Sequence, residues 1–436
     1  MKILVIIPSF PYPLDSGGNQ AFFNMLDGMR KEHQITLITR GWPESAALQR
    51  DLHALNSIWP DVDIHIAPYP DTKIVTPYPD FYFTALPFRF IRYIATSFRR
   101  KYNRYLLNHS SDDLSPEKIA RRKTSLRAKN YFDEDIRFYE FVKEVACQGF
   151  DAIQCEFYDM LPLAYCLPKD TYKIFVCHEI RFVRCQNEIE LFPDRNFEDE
   201  IEVQREKDLE ISLMQHFDRI ITLTQTDKNI LSERIPADKI TVSPAVVQWG
   251  EVLTFKSCRR DFVFVGSCSH YPNLDAMLWF CRNILPLLRK KMPVGFHVHV
   301  TGRWDDSIKE QLFHEHPELQ FTGFIPSLPD FLNGKITIIP IRIGSGMRMK
   351  VTESIQAMSP IVSTSKGMEG QQFLHNQECM IADSAEDFAA AACKMASDEN
   401  LQQKLAEKAL LTAQSTYRPK DMVEKRLSIY RNINRH

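Results

Sequence analysis

The chain has 436 residues, which at the ~150 residues of a usual domain favours two large domains or three small ones over a single core. Its 44% hydrophobic and 25% charged residues describe an ordinary globular protein and exclude disorder, collagen-like repeats and a disulfide-stapled miniprotein. With 54 Lys and Arg against 56 Asp and Glu, the net charge of -2 gives no general basic excess for coating nucleic acid, so any basic surface is local.

The opening apolar run, Ile3 to Ile7, ends at Pro8 and is too short for a signal-peptide core or a membrane span. An amphipathic segment from about Asn19 to Lys31 and a second apolar run, Ile35 to Ile38, make it the first strand of a strand-helix-strand unit. Further short apolar runs at Ala152 to Cys155, Lys173 to Cys177 and Arg219 to Leu223 predict a buried parallel sheet flanked by helices.

Periodicity is lost between Val242 and Asp261, and a second series then begins at Asp261 to Gly266. It continues through a helical pattern from Leu274 to Lys290 and runs at His297 to Thr301, Gln320 to Thr322 and Ile336 to Ile339. The expected fold class is α/β, two Rossmann-like doubly wound domains facing across a cleft. The first occupies 1–250 and the second 251–412, while 413–436 forms a helix that crosses back onto the first domain.

One insertion, about 70–144, interrupts the first unit. Its 89–129 stretch holds twelve Lys and Arg against three acids, and Phe90, Ile91, Ile94, Phe98, Tyr102 and Tyr105 recur at helical spacing beside them. An aromatic face next to a cationic one suits a membrane surface, and it equally suits a helix packed on the domain with its arginines solvated. The ten cysteines form neither a C-x-x-C pair nor a zinc-spaced His-Cys cluster. They are expected to be buried thiols of a cytoplasmic protein, peripheral on the membrane at most.

Glycine is scarce, 15 residues in all, so its clusters answer a backbone requirement. Gly17-Gly18 lies between the first strand and helix, where amides and a helix N-terminus approach an anion or a sugar, or where a plain turn is made. Gly344-Ser345-Gly346-Met347-Arg348-Met349-Lys350 follows the Ile336 to Pro340 run. It opens room for a diphosphate with Arg348 and Lys350 as cationic partners, unless Lys350 and Glu353 form a surface pair. A third cluster, Lys366-Gly367-Met368-Glu369-Gly370, again follows a strand. No dinucleotide or P-loop fingerprint accompanies them.

The run from Ile338 through Gly344 to Ser354, then Pro360 to Thr364 and Gly367 to Gly370, resembles the retaining GT-B glycosyltransferases of family 4. Phe264-Val265-Gly266 with Pro272-Asn273, Thr322 to Ile325, and Gly17-Gly18 fall in matching order. The resemblance implies transfer of a sugar from a nucleotide-diphosphate donor to a hydroxyl acceptor, without metal or other cofactor and without nucleic acid as partner. The basic insertion suits a lipid-linked acceptor at the inner membrane surface, as in cell-surface polysaccharide or glycolipid synthesis.

By the same resemblance Glu353 accepts from the donor ribose, and Gly323, Phe324 and Ile325 meet the base. Gly344, Ser345, Gly346, Gly17, Gly18 and Glu369 surround the donor, and Arg348 with Lys350 neutralises the departing diphosphate. His178 matches a histidine facing the donor sugar, with a packing role as the other reading, while Glu156 and Glu179 are orienting or acceptor candidates. Two departures stand out. Ser345 occupies the place of the first Glu of E-x7-E, and Gly266 is followed by Ser267-Cys268-Ser269-His270 without the frequent Arg and Lys. They leave open a catalytically silent scaffold binding nucleotide or a partner protein, and a nucleotide-sugar epimerase.

Overall fold

The computed structural model describes residues 1–14, 16–69, 136–251, 253–258, 260–292 and 295–433. The basic aromatic stretch 89–129 lies outside the described residues. From the insertion expected over about 70–144, the final part is ordinary fold. The helix Ile136–Ala146 buries Phe138, Val142 and Val145, spaced four and three apart, on one side.

Among the described residues the first half is built on a seven-stranded parallel sheet, ordered β3-β2-β1-β4-β5-β6-β7. Its strands are β1 (Lys2–Ile6), β2 (Gln34–Gly41), β3 (Asp63–Pro68), β4 (Ala152–Glu156), β5 (Tyr172–Cys177), β6 (Arg219–Thr222) and β7 (Ile240–Val242). β1 is central, with Ile3 opposite Ile35 on one side and Ala152 on the other. Both sheet faces are covered, so the run need not alternate with polar residues: Ile3 and Val5 join one core cluster, Leu4 and Ile6 the other.

The second half carries a six-stranded parallel sheet ordered β10-β9-β8-β11-β12-β13. These are β8 (Asp261–Val265), β9 (His297–Thr301), β10 (Leu319–Gly323), β11 (Ile336–Ile339), β12 (Ile361–Ser363) and β13 (Met380–Ile381). Strand order reverses beside β1 and β4 in the first sheet and beside β8 and β11 in the second. Doubly wound sheets bind ligands outside the carboxyl ends of strands at such reversals. The two-sheet, Rossmann-like architecture expected from the sequence is the one found.

The last helix, Pro419–Arg431, packs on the first helix of the chain, Gly17–Met29. Tyr430 is fully buried there, and Arg431 pairs with Glu32 at 2.8 Å. The crossing is close because Gly28 has no side chain: a Cβ there would lie 2.5 Å from one γ-carbon of Val423 and 2.7 Å from the other. Gly28→Ala gains about 1 kcal/mol of helix propensity and loses about 1–3 kcal/mol to overpacking against a stiff β-branched side chain. Denaturant unfolding should therefore show net destabilisation, and adding Val423→Ala should bring the protein back to within about 1 kcal/mol of the starting stability. A double variant no better than Gly28→Ala alone would contradict the close-crossing account.

Candidate active site

A cavity of about 760 Å³ opens between the carboxyl edges of the two sheets, a size in the usual range for ligand clefts. Its walls include Gly17, Gly18, His178 and Glu179 from the first half, and Phe324, Ile325, Ser345, Arg348, Lys350 and Glu353 from the second. Of the residues singled out in the sequence, Glu156 lies behind His178, Gly344 and Gly346 lie in the seam between the halves, and Gly323 and Glu369 stand off the wall. Glu369 pairs with Lys366, and its Oε1 is buried without a partner.

His178 follows β5 directly. Its ring stacks on Phe157 at 3.9 Å between centroids and 11° between planes, and its Nε2 meets Glu156 Oε2 at 2.5 Å. Phe157 holds a left-handed backbone, φ 68°, a costly conformation for a bulky residue that occurs here beside the cavity. Glu179 faces Arg184 at 3.5 Å and His270 at 4.0 Å. Burial works against its ionisation, but Arg184, His270 and Arg348 outweigh it and hold Glu179 down to about 2.

The glycine loop after β11 was expected to turn its amides toward the donor, but in the closed cleft they meet the opposite half. Gly344 N donates to Asn187 Oδ1 at 3.3 Å, Gly346 N donates to Asp227 Oδ1 at 3.4 Å, and Ser345 Oγ accepts from the Ile180 amide at 2.7 Å. Gly346 has φ +79°, and a Cβ on it would stand 2.1 Å from the His178 carbonyl oxygen. Gly344 leaves the space shared by Glu179 Oε1 and Arg348 Nη2, which would be 2.9 and 3.1 Å from its missing Cβ.

Arg348 caps the loop by donating through Nη1 to the carbonyls of Ser345 and Gly346, while Nη2 is buried without a partner. Lys350 is not half of a surface pair. Its Nζ donates to Asn273 Oδ1 at 2.7 Å and sits 4.8 Å above the Phe264 ring, at the end of β8 where the sequence lacks the frequent Arg and Lys. Burial, with Arg348 adding to it, pushes Lys350 down to about 7. Burial pushes Glu353 up, against a hydrogen bond with Gln20 and the charge of Lys350. Gly17 lets the first helix approach, its absent Cβ lying 2.9 Å from Met349 Cβ.

At the other end of the cavity Gly323 takes φ +70° and its carbonyl accepts from Gly302 N at 2.8 Å, which turns the exposed Phe324 into the wall. Asn187, Asp227, Arg184 and Gln20 were not singled out in the sequence, and His270 and Asn273 were quoted only within runs compared with the family. They are single polar residues on helices or in a loop, and only the fold brings them to the cleft. Among the described residues no group of three or more His, Cys, Asp or Glu is placed to hold a metal ion, and no helix is long and apolar enough to cross a membrane.

Residues 259–398 match the sequence family of group 1 glycosyl transferases. No curated protein matches the chain significantly in sequence. Among solved structures, the chain is similar to a TarM mutant of S. aureus bound to fondaparinux, alpha-GlcNAc-glycerol and UDP, with TM-score 0.64 and 10% identity over 98% of this chain and 99% of that one. It is similar to Anabaena HepE with UDP and glucose, with TM-score 0.60 and 11% identity over 99% and 100%. WaaG, a glycosyltransferase involved in lipopolysaccharide biosynthesis, aligns with TM-score 0.58 and 11% identity over 99% and 100%. At such identities the likeness is one of fold, and that fold is the GT-B architecture.

The seating of Gly346 on the His178 carbonyl generates a direct test. Gly346→Ala meets both a left-handed backbone and a contact no Cβ can occupy, so the cleft should open. Small-angle scattering should report a larger radius of gyration than that of the parent protein, and an unchanged value would refute the seating.

Proposed function

We propose that the protein transfers a hexosyl group from a nucleoside-diphosphate sugar to a hydroxyl acceptor with retention at the anomeric carbon and without a metal. The observation that carries this is Arg348 Nη2, a buried cationic donor with no partner, in the wall of a cavity that also holds Lys350 and Glu353. A buried donor left unsatisfied costs about 1–3 kcal/mol, and the Arg348 side chain lines the cavity, where a phosphate oxygen would give its guanidinium a charge-assisted partner. The N-terminus of the helix Met349–Gln356 begins beside it and favours the same anion.

In the proposed reaction the bond from the anomeric carbon to the diphosphate breaks and its electron pair stays on the phosphate oxygen. The acceptor hydroxyl attacks from the side of the departing diphosphate, whose oxygen takes the hydroxyl proton. Arg348 and Lys350 stabilise the charge that grows on that oxygen, a contribution largest in a dry, preorganised site. Glu353 accepts from the ribose, Phe324 and Ile325 border the base, and His178 lies against the sugar. The UDP in the TarM and HepE structures makes uridine the first base to test. Charge and aromatic spacing in 89–129 favour an acceptor carried on lipid at the cytoplasmic membrane surface, in cell-surface polysaccharide or glycolipid synthesis.

With a donor identified by thermal stabilisation across UDP-, GDP- and TDP-sugars, Arg348→Ala should lower kcat by about 10²–10³-fold. Glu353→Ala should raise the donor KM more than it lowers kcat. Unchanged kinetics in both variants would remove the assignment. The anomeric coupling of freshly formed product distinguishes retention from inversion.

Lys350 supplies a pH test. At about 7 it is mostly neutral at pH 8, and a diphosphate beside it favours its charged form. Donor binding at pH 8 should take up a proton, and binding at pH 6, where Lys350 is already charged, should take up almost none. Titration calorimetry in buffers of different ionisation enthalpy measures this. Lys350→Arg should abolish the uptake, and uptake that persists in that variant would exclude Lys350 as its source.

The engaged amides of Gly344 and Gly346 favour a second reading, a scaffold that binds nucleotide without turnover. Turnover of any donor would eliminate it.

A further inference from the structure

A line of buried polar side chains runs from the last helix of the chain to the wall of the cleft. Tyr430 donates its hydroxyl proton to Gln154 Oε1, Gln154 Nε2 donates to Glu156 Oε1 at 2.5 Å, and Glu156 Oε2 meets His178 Nε2 at 2.5 Å. Tyr430, Gln154 and Glu156 are 0%, 1% and 3% exposed. Only His178, its side chain 12% exposed, reaches the cavity.

We propose that Tyr430 and Gln154 are positioning residues for His178: they hold the Glu156 carboxylate in the place from which it keeps the His178 proton on Nε2, and so tie the side chain in the cleft to the crossing helix.

The direction of every bond follows from donor and acceptor chemistry. An ionised carboxylate only accepts, so Gln154 must turn its amide NH2 toward Glu156 and its oxygen toward Tyr430. Tyr430 must then donate to that oxygen. From the far end Arg426, also buried and a donor only, bonds to the Tyr430 oxygen and donates through Nε to Ser243 Oγ at 3.1 Å. With both ends constrained and water excluded, the chain has a single polarity, and low dielectric strengthens it. His178 is thereby held with a proton on Nε2, which in the neutral ring leaves Nδ1 bare, and its ring plane is kept by the Phe157 stack. A carboxylate that fixes the tautomer and orientation of a histidine is a recurring device in active sites. Here the glutamine that braces the carboxylate is itself held by a tyrosine 276 positions away in the chain. Only the kinetic consequence depends on sugar transfer at this cleft, whereas the proton placement does not.

Ring-nitrogen NMR of 15N-histidine-labelled full-length protein reads the placement, with the His178 signals assigned by their loss in His178→Gln. The parent protein should show a protonated Nε2 and a bare Nδ1. In Glu156→Gln the amide must present its oxygen to Gln154 and its NH2 to His178, so the proton should move to Nδ1. Adding Tyr430→Phe frees Gln154 to turn, and both tautomers should then appear. If the double variant does not fold, Tyr430→Phe alone should still perturb the His178 signals.

With a donor in hand, Tyr430→Phe should lower kcat by about tenfold, as loss of a supporting partner behind a functional histidine does, and leave the donor KM nearly unchanged. A parent ring protonated on Nδ1 would overturn the proposal. So would His178 signals that Tyr430→Phe does not alter in either background. The expected ring pattern in a protein that transfers no sugar would sustain the relay and remove the transferase. Transfer with a ring indifferent to Tyr430→Phe would do the reverse.

Discussion

The cleft depends on one contact, the seating of the backbone at Gly346 against the carbonyl of His178. No residue with a Cβ fits there, and the approach is what brings the loop after β11 within reach of Ile180, Asn187 and Asp227. Those three hydrogen bonds orient the loop, and the loop carbonyls in turn hold Arg348 through Nη1. The position of the arginine in the cavity is therefore a consequence of closure.

The charged groups lining the cavity are strained by burial in a consistent sense. Burial and a neighbouring cation push Lys350 toward neutrality, burial pushes Glu353 toward protonation, and Arg348 keeps one donor unused. Glu179 goes the other way, because Arg184, His270 and Arg348 all face it. A dianionic group near Arg348 and Lys350 would reverse the strain on both cations, and a hydroxyl on Glu353 would replace part of its lost hydration. Binding energy obtained by relieving buried, unpaired groups discriminates sharply, since a ligand lacking the matching group leaves them unpaired. Ser345, in place of the family's carboxylate, avoids a further negative charge beside Glu179 and Asp227, and its hydroxyl accepts from the Ile180 amide in the seam instead.

Most of the architecture was legible because strands of a doubly covered parallel sheet are continuous apolar runs. Ile3 to Ile7, Lys173 to Cys177 and Asp261 to Val265 are strands or their immediate extensions. β3, β7 and β13 were not read. Asp63–Pro68 lies at a sheet edge with few apolar residues, and the other two are three and two residues long. At the site, Arg348, Lys350 and Glu353 could be found because they lie close together in sequence, at the N-cap and in the first turns of the helix that follows the glycine loop. Asp227 and Asn187 could not, because an isolated polar residue on an amphipathic helix looks the same whether it faces solvent or the opposite domain.

The line from Tyr430 to His178 marks the limit of local reading, because each member has an ordinary explanation alone. Gln154 and Glu156 alternate with Cys155 in a strand, and Tyr430 is an aromatic residue near the end of a terminal helix. Their meaning comes from burial. A buried glutamine between a phenol and a carboxylate has only one orientation that satisfies all three, and a chain of such bonds either transmits a preference or leaves a polar group unpaired at substantial cost. Close packing through Gly28 holds the terminal helix near enough for the first of those bonds, so the fit of two helices on the outside of the first domain and the proton on a ring inside the cleft belong to one structural constraint.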